Sequence, residues 1–200
     1  MRLLALDSSG DRRSVALADG GTVVVARREV GARGHAERLV PLIDAALAES
    51  GWGWSAIDGL AVAVGPGSFT GVRIAVAATR ALALALDRPV HAVTTLDALA
   101  VAAADAAEVA VAAADAAEVS VAAADARGVI VPTIDARRGG LYVAWPERDG
   151  YGAPEVLAPT VAAAKAPAAF TAVGSGAAAL VTAAGRGEAR EWAVDAAAVA

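Results

Sequence analysis

The sequence predicts an α/β protein made of two related lobes. Two observations carry this: each half opens on a pair of strand-like runs joined by a glycine turn, and each continues as helix, strand, helix. A third, an alanine-rich ten-residue repeat over residues 101–128, lies near the junction. The expected organisation is therefore an N-terminal lobe of residues 1–100, the repeat, and a C-terminal lobe of residues 129–200.

Leu3 to Leu6 form a short apolar run ending in Asp7, Ser8, Ser9 and Gly10, a strand followed by a turn cluster. The stretch SVALADGGTVVVARREV reads as two strands joined at Asp19, Gly20 and Gly21, where glycines are available for positive φ. In HAERLVPLIDAALAES, Leu39, Leu42, Ile43, Ala46 and Leu47 recur at helical spacing and form an amphipathic stripe. Pro41 falls in the first turns and marks a kink or a late start. IDGLAVAVG is a strand of small and β-branched residues, ended by Gly65 and Pro66. Phe69 to Leu86 reads as a helix whose clearly polar side chains are Arg73, Thr79 and Arg80; a helix so apolar must be covered on more than one side. RPVHAV is a short strand, and TTLDALA starts a helix with Thr94 or Thr95 as cap and Asp97 in the first turn.

The repeat runs VAAADAAEVA, VAAADAAEVS, VAAADARGVI. Ten helical residues fall roughly 80° short of three full turns, so the valines drift round the helix and no coiled-coil seam forms. A solenoid unit needs about twenty residues or more. The repeat reads as tandem expansion of a helix or linker, and its spacing scatters Asp105, Glu108, Asp115, Glu118 and Asp125 rather than gathering them round a cation. Beyond it, VIVPTIDARRGGLYVAWPERDG gives a strand, a turn at DARRGG, a strand through Leu141 to Trp145, and a turn at Asp149 and Gly150. The remainder gives a helix, a strand at Phe170 to Val173, a GSG turn and a helix.

Composition excludes several function classes. Alanine supplies much of the 57% hydrophobic content and the aromatic share is 4%, so Ala, Val, Leu and Ile must build the core. A net charge of −5 and a single lysine, Lys165, argue against gripping nucleic acid through this surface. The absence of cysteine removes disulfides, thiolate nucleophiles and thiolate metal ligands. The apolar run before Asp7 is too short for a signal sequence or a membrane span, so a soluble, cytoplasmic protein with no membrane association is expected.

The candidate sites are few. Asp7 and the following SSG could present a carboxylate and backbone N–H groups to a phosphate or a metal-bound water, or could form a strand-end Asx turn. GPGSFTG stands between strand and helix, where N–H groups attract anions, but Ser68 or Thr70 could equally cap the helix. It lacks the lysine and spacing of a P-loop. Asp7, Ser9, Gly65, Gly67 and Ser68 are thus candidate nucleotide contacts. Four residues beyond His35 stands Leu39, so no second imidazole shares its face and no metal site is expected. His91 reads as a core or edge-strand residue. Arg137 and Arg138 could touch RNA, nucleotide or an acidic partner, or lie in a solvated turn. No GxSxG nucleophile elbow occurs, and no catalytic residue is assigned.

Taken in order, LLALDSSG, GHAERLVPLID, GLAVAVGPGSFTGVRIAVAATRALALAL, VTTLDALA and IDARRGGLYVAW resemble the bacterial TsaB family, also called YeaZ. The resemblance spans residues 1–100 and 129–180 and implies a degenerate form of the two-lobed fold of actin, the sugar kinases and the Hsp70 ATPases, with ribonuclease H-like lobes. It implies a non-catalytic scaffold, a pseudo-enzyme that activates a TsaD-type threonylcarbamoyltransferase in forming N6-threonylcarbamoyladenosine beside the anticodon of tRNA. The His-x-x-x-His metal pair of TsaD is missing here. The implied partners are a TsaD-like enzyme and, in the assembled complex, a TsaE-like ATPase, with tRNA contacted only indirectly and a homodimer when the chain is alone. ATP or ADP, if bound, would sit at a partner interface. Carried over by position, the interface is His35, Leu39, Leu42 and Ile43 on the first helix and Phe69, Val72, Arg73, Val76 and Arg80 on the second. The alternative is an ATP-hydrolysing or glycopeptidase-like (M22) enzyme in its own right. Two departures stand out: the repeat is longer than the family shows, and the chain stops before the family's closing segment, so an incomplete second lobe is expected.

Overall fold

The computed structural model describes residues 1–31, 35–104, 129–148, 150–190 and 196–200. The chain divides into two compact units, Met1–Ala98 with Ala193–Ala200, and Leu99–Trp192.

The first unit is built on a five-stranded sheet of order β3-β2-β1-β4-β5. Strands β1 (Arg2–Asp7), β2 (Arg12–Asp19) and β3 (Thr22–Val30) are antiparallel, and β4 (Gly59–Ala63) and β5 (Val90–Val93) continue the sheet parallel to β1. The first hairpin turns where expected, with Gly20 at φ 57° and Gly21 at φ 87°, conformations that glycine reaches without a Cβ penalty. Strand alternation then separates two faces. Leu4, Leu6, Val15, Leu17 and Leu60 face helix α1 (His35–Ser50) and join Leu39, Leu42, Ile43, Ala46 and Leu47 in one buried cluster. On the opposite face lie Ala5, Ala16, Ala18, Ala61 and Ala63, also buried.

Helix α1 starts at His35 and runs on through Pro41, so of the kink or late start expected from the proline, the late start does not occur. Pro41 and Glu37 are both exposed, and Pro41 leaves the Glu37 carbonyl without its helical donor. Helix α2 (Phe69–Leu86) has the bounds read from the sequence, with Ser68 as N-cap and Asp87 as a left-handed C-cap at φ 54°. By length and composition α2 could cross a membrane. In the fold it packs on β4 and β1, with Gly71, Ala75 and Thr79 buried and the Thr79 hydroxyl donating to the Ala75 carbonyl at 2.8 Å. Helix α3 (Thr95–Ala104) is capped by Thr94, whose hydroxyl accepts from the Asp97 N–H at 3.0 Å and donates to the Asp97 carboxylate at 2.5 Å.

The second unit has the corresponding sheet, β10-β7-β6-β11-β12. Three antiparallel strands, β6 (Val129–Arg137), β7 (Gly140–Val143) and β10 (Glu155–Leu157), are followed by β11 (Phe170–Val173) and β12 (Glu188–Arg190), parallel to β6. Between β7 and β10 lies a small hairpin, β8 (Pro146–Glu147) with β9 (Gly150–Tyr151). Helices α4 (Pro159–Lys165) and α5 (Ala177–Ala184) complete a core of Val131, Leu141, Val143, Phe170 and Leu180 with surrounding alanines. Three antiparallel strands and then two parallel ones in each unit is the relatedness the sequence halves suggest.

Two domain expectations change. The first unit ends at Ala98, and residues 196–200 return to it rather than closing the C-terminal lobe of 129–200. The Ala196 N–H donates to Ser14 Oγ at 2.7 Å, and Ala196 and Val199 are buried. The repeat from Asp105 to Gly128, with its five acidic residues, lies outside the described residues.

Candidate functional site

Parallel pairing of β1 with β4 sets their C-terminal ends side by side, so the loops that follow them meet. The first loop folds as an Asx turn: buried Asp7 accepts the Ser9 N–H through Oδ1 at 3.0 Å. The second is stitched to it. Ser68 N–H donates to the Ser9 carbonyl at 2.6 Å, and Ser8 Oγ donates to the Gly71 carbonyl at 2.7 Å. The Thr95 N–H donates to the Gly65 carbonyl at 2.8 Å, and Ser68 Oγ accepts from Gly71 N–H at 3.3 Å. Glycine is demanded at two of these places by close approach. A Cβ at Gly67 would strike the Ser9 carbonyl, and one at Gly71 the Ser8 carbonyl.

The five residues expected to meet a nucleotide, Asp7, Ser9, Gly65, Gly67 and Ser68, are therefore brought together, but on one another. The Ser9, Ser68 and Gly71 N–H groups that a phosphate would draw on are spent inside the chain, and Ser8 and Ser9 fill the space beside the glycines. Those three N–H groups thus bond within the chain, loop to loop or inside the turn itself. What the geometry does is tie the start of α2 to the loop that follows β1.

The docking residues expected from the family divide sharply. Leu39 is 1% exposed, Leu42 6% and Ile43 0%. These three are corrected to core residues, because α1 has one strong apolar stripe and the sheet takes it. His35 opens α1, and its side chain lies outside the described ones. On α2, Phe69 is 74% exposed, with the Arg73 guanidinium 5.0 Å from its ring centroid. Arg73 and Arg80 are exposed, and Val72 and Val76 are half-buried.

Sequence reasoning missed the rest of this surface. Leu84 is 87% exposed and Ala77 and Ala81 are open to solvent, as are Val40, Pro41, Asp44 and Ala48 on α1. A signal was present for α2: Gly71, Ala75 and Thr79, spaced by four, are small enough to lie against a sheet, which puts Phe69, Arg73, Ala77, Arg80 and Leu84 outside. The exposed side of α1 carries Glu37 and Asp44, with the neighbouring Arg38 bridged to Glu29, and that of α2 carries Arg73 and Arg80.

The start of α1 is pinned from the side. Arg38 bonds both Glu29 oxygens, Nη2 to Oε1 at 2.8 Å and Nε to Oε2 at 3.2 Å, while the buried Arg13 reaches Oε2 through Nε at 2.9 Å. Hydrogen bonds from Arg38 and then Arg13 hold the Glu29 carboxyl below its ordinary range, and Glu29 in turn raises Arg38.

Elsewhere, His91 is exposed on the edge strand β5. Arg137 and Arg138 lie exposed in the β6–β7 turn with φ of 60° and 55°, and the Arg137 N–H donates to Asp135 Oδ1 at 2.7 Å. Among the described residues, no three His, Asp, Glu or Cys side chains gather in a way that would hold a metal ion.

Comparison with known proteins follows the same lines. The family described as TsaD, tRNA N6-adenosine threonylcarbamoyltransferase, matches residues 24–185. Over 103 residues the chain is 44% identical to the tRNA threonylcarbamoyladenosine biosynthesis protein TsaB of Haemophilus influenzae, covering 52% of this chain and 43% of that one. The protein of the same name from Escherichia coli K12 is 42% identical over 100 residues, again 43% of its length. The matched stretch thus spans less than half of these curated relatives. The solved structure of YeaZ from Pseudomonas aeruginosa superposes with a TM-score of 0.75 at 30% identity, covering 99% of this chain and 88% of that one. The ethanolamine utilization protein EutJ of Carboxydothermus hydrogenoformans, at TM-score 0.51 and 11% identity, shares the fold alone. The α/β fold is thus that of YeaZ, as expected, and it extends to EutJ.

Proposed function

The chain belongs to the TsaB (YeaZ) family, and from that premise we propose that it serves tRNA threonylcarbamoyladenosine biosynthesis as the non-catalytic partner of a TsaD-type threonylcarbamoyltransferase. The observation that carries this reading is the outer face of α2. Phe69 and Leu84 stand in water at opposite ends of a stripe whose middle is alanine and arginine. Large exposed apolar side chains gain about 1.5–3 kcal/mol each when covered, and alanines between them let a second helix approach closely. Arg73 and Arg80 would meet carboxylates on the partner and set its register.

The same face would close on a second copy when the partner is absent. In a two-fold arrangement, Glu37 and Asp44 on one α1 would lie against Arg73 and Arg80 on the other α2, which is self-complementary. The threonylcarbamoyl transfer itself, the metal and the tRNA contacts are assigned to the TsaD-like partner, with a TsaE-like ATPase joining the assembled complex in the cytoplasm.

The test is co-purification of the chain with the TsaD-like protein of the same genome, together with measurement of the modified nucleoside in tRNA from cells carrying each variant. Phe69→Ala combined with Leu84→Asp is expected to abolish both, at unchanged stability of the free chain. Retention of both by a folded double variant would overturn the reading.

A further inference from the structure

We propose that the turn at residues 196–200 is a latch for α2: its seating on β2 holds the Asp7–Ser9 loop in the shape from which that helix is launched. The seat is specific. Ala196 N–H donates to Ser14 Oγ at 2.7 Å, with Ala196 0%, Val199 5% and Ser14 2% exposed. Ser14 is the ladder partner of Asp7, so the turn is fixed to the last rung of the β1–β2 pair before the loop begins.

From that rung three bonds lead to α2. Asp7 Oδ1 accepts from Ser9 N–H, the Ser9 carbonyl accepts from Ser68 N–H, and Ser8 Oγ donates to the Gly71 carbonyl. The face on which the turn sits explains why a cover is needed. Ser14 shares it with Ala5, Ala16 and Ala18, whose methyl groups cannot shield the rung from water. Ala196 lies 182 residues from Ser14 in sequence, so the turn can leave its seat without breaking the continuity of β1, β2 or α2. The coupling acts in the free chain, whether or not α2 docks on a partner, and so goes beyond the docking reading.

Amide hydrogen exchange on the full chain tests it, comparing the natural chain with Ser14→Ala and Val199→Asp. Both variants are expected to speed exchange at Ser9 and Ser68 roughly five- to tenfold, the scale of losing one buried hydrogen bond, while amides of Leu42 to Leu47 in α1 keep their rates. Faster exchange confined to Ser14 and residues 196–200 would overturn the proposal. So would an equal acceleration across the whole first unit, which reports lowered global stability. Should Val199→Asp fail to fold, Ser14→Ala decides alone, since it removes a single oxygen atom.

Discussion

Gly71 and Ser8 are in direct contact across two loops. The Ser8 hydroxyl donates to the Gly71 carbonyl at 2.7 Å, and the Ser8 carbonyl oxygen fills the space a Cβ at position 71 would need. Position 71 is also in the first turn of α2, so the contact fixes where the helix starts relative to β1.

Gly71→Ala is accordingly expected to destabilise the protein by about 2–3 kcal/mol, because backbone atoms on both sides must move to admit one methyl group. Gly67→Ala, which meets the Ser9 carbonyl, is expected to behave alike. At Gly10, where a Cβ meets nothing within 4 Å, alanine should stay within about 0.5 kcal/mol of the natural chain. Urea unfolding of the three variants checks the ordering, and equal stability of all three would remove the close-approach argument.

The bounds of α2 were legible because both ends carry local chemistry: Ser68 caps one, and Asp87 before Arg88 and Pro89 ends the other. The stitching of Ser8 to Gly71 was not, since 63 residues separate them and neither loop betrays the other. Which surface the stripe of α1 covers was not legible for a different reason. Leu39, Leu42 and Ile43 form an apolar stripe that would suit a partner as well as a sheet, and periodicity does not say which takes it. For α2, small residues at 71, 75 and 79 did carry that information. The return of residues 196–200 left no trace, because Ala196 and Val199 in an alanine-rich tail carry no pattern.

Leu39→Ala and Ile43→Ala separate core from interface. Each empties a buried site and is expected to cost about 2–5 kcal/mol of stability, read by thermal or urea unfolding. Affinity for the partner, measured on the fraction that remains folded, should stay within about threefold of the natural chain. A large affinity loss with stability unchanged would return these side chains to the docking surface.

A charge swap probes the outer face without touching the core. Arg73→Glu with Arg80→Glu is expected to leave unfolding of the free chain within about 1 kcal/mol, as surface substitutions do. In the self-associated form it would set Glu37 and Asp44 against new carboxylates, so sedimentation should show the chain shifted towards monomer, most strongly at low salt. Adding Asp44→Arg should restore part of the association, and absence of any salt dependence would argue that apolar contacts alone hold the pair.

The Glu29 cluster makes acid stability pH-dependent in a definite direction. Its folded-state carboxyl titrates below the ordinary value of 4.5 because Arg38 and Arg13 bond the charged form. The ion pair therefore contributes stability above the unfolded carboxyl's range, and that contribution is lost as pH falls through the lowered folded value. Arg38→Ala removes the larger of the two causes, so the Glu29 carboxyl should move up towards 4.5 in an NMR titration of its side-chain carbon. The acid-unfolding midpoint should rise with it, whereas Glu29→Gln should flatten that part of the profile and leave Arg13 buried without its carboxylate. Because Arg38 lies on α1 and Glu29 on β3, the Arg38→Ala protein should also lose protection first at the start of α1 as the pH is lowered. An unchanged titration of Glu29 in Arg38→Ala would mean that Arg13 alone sets it.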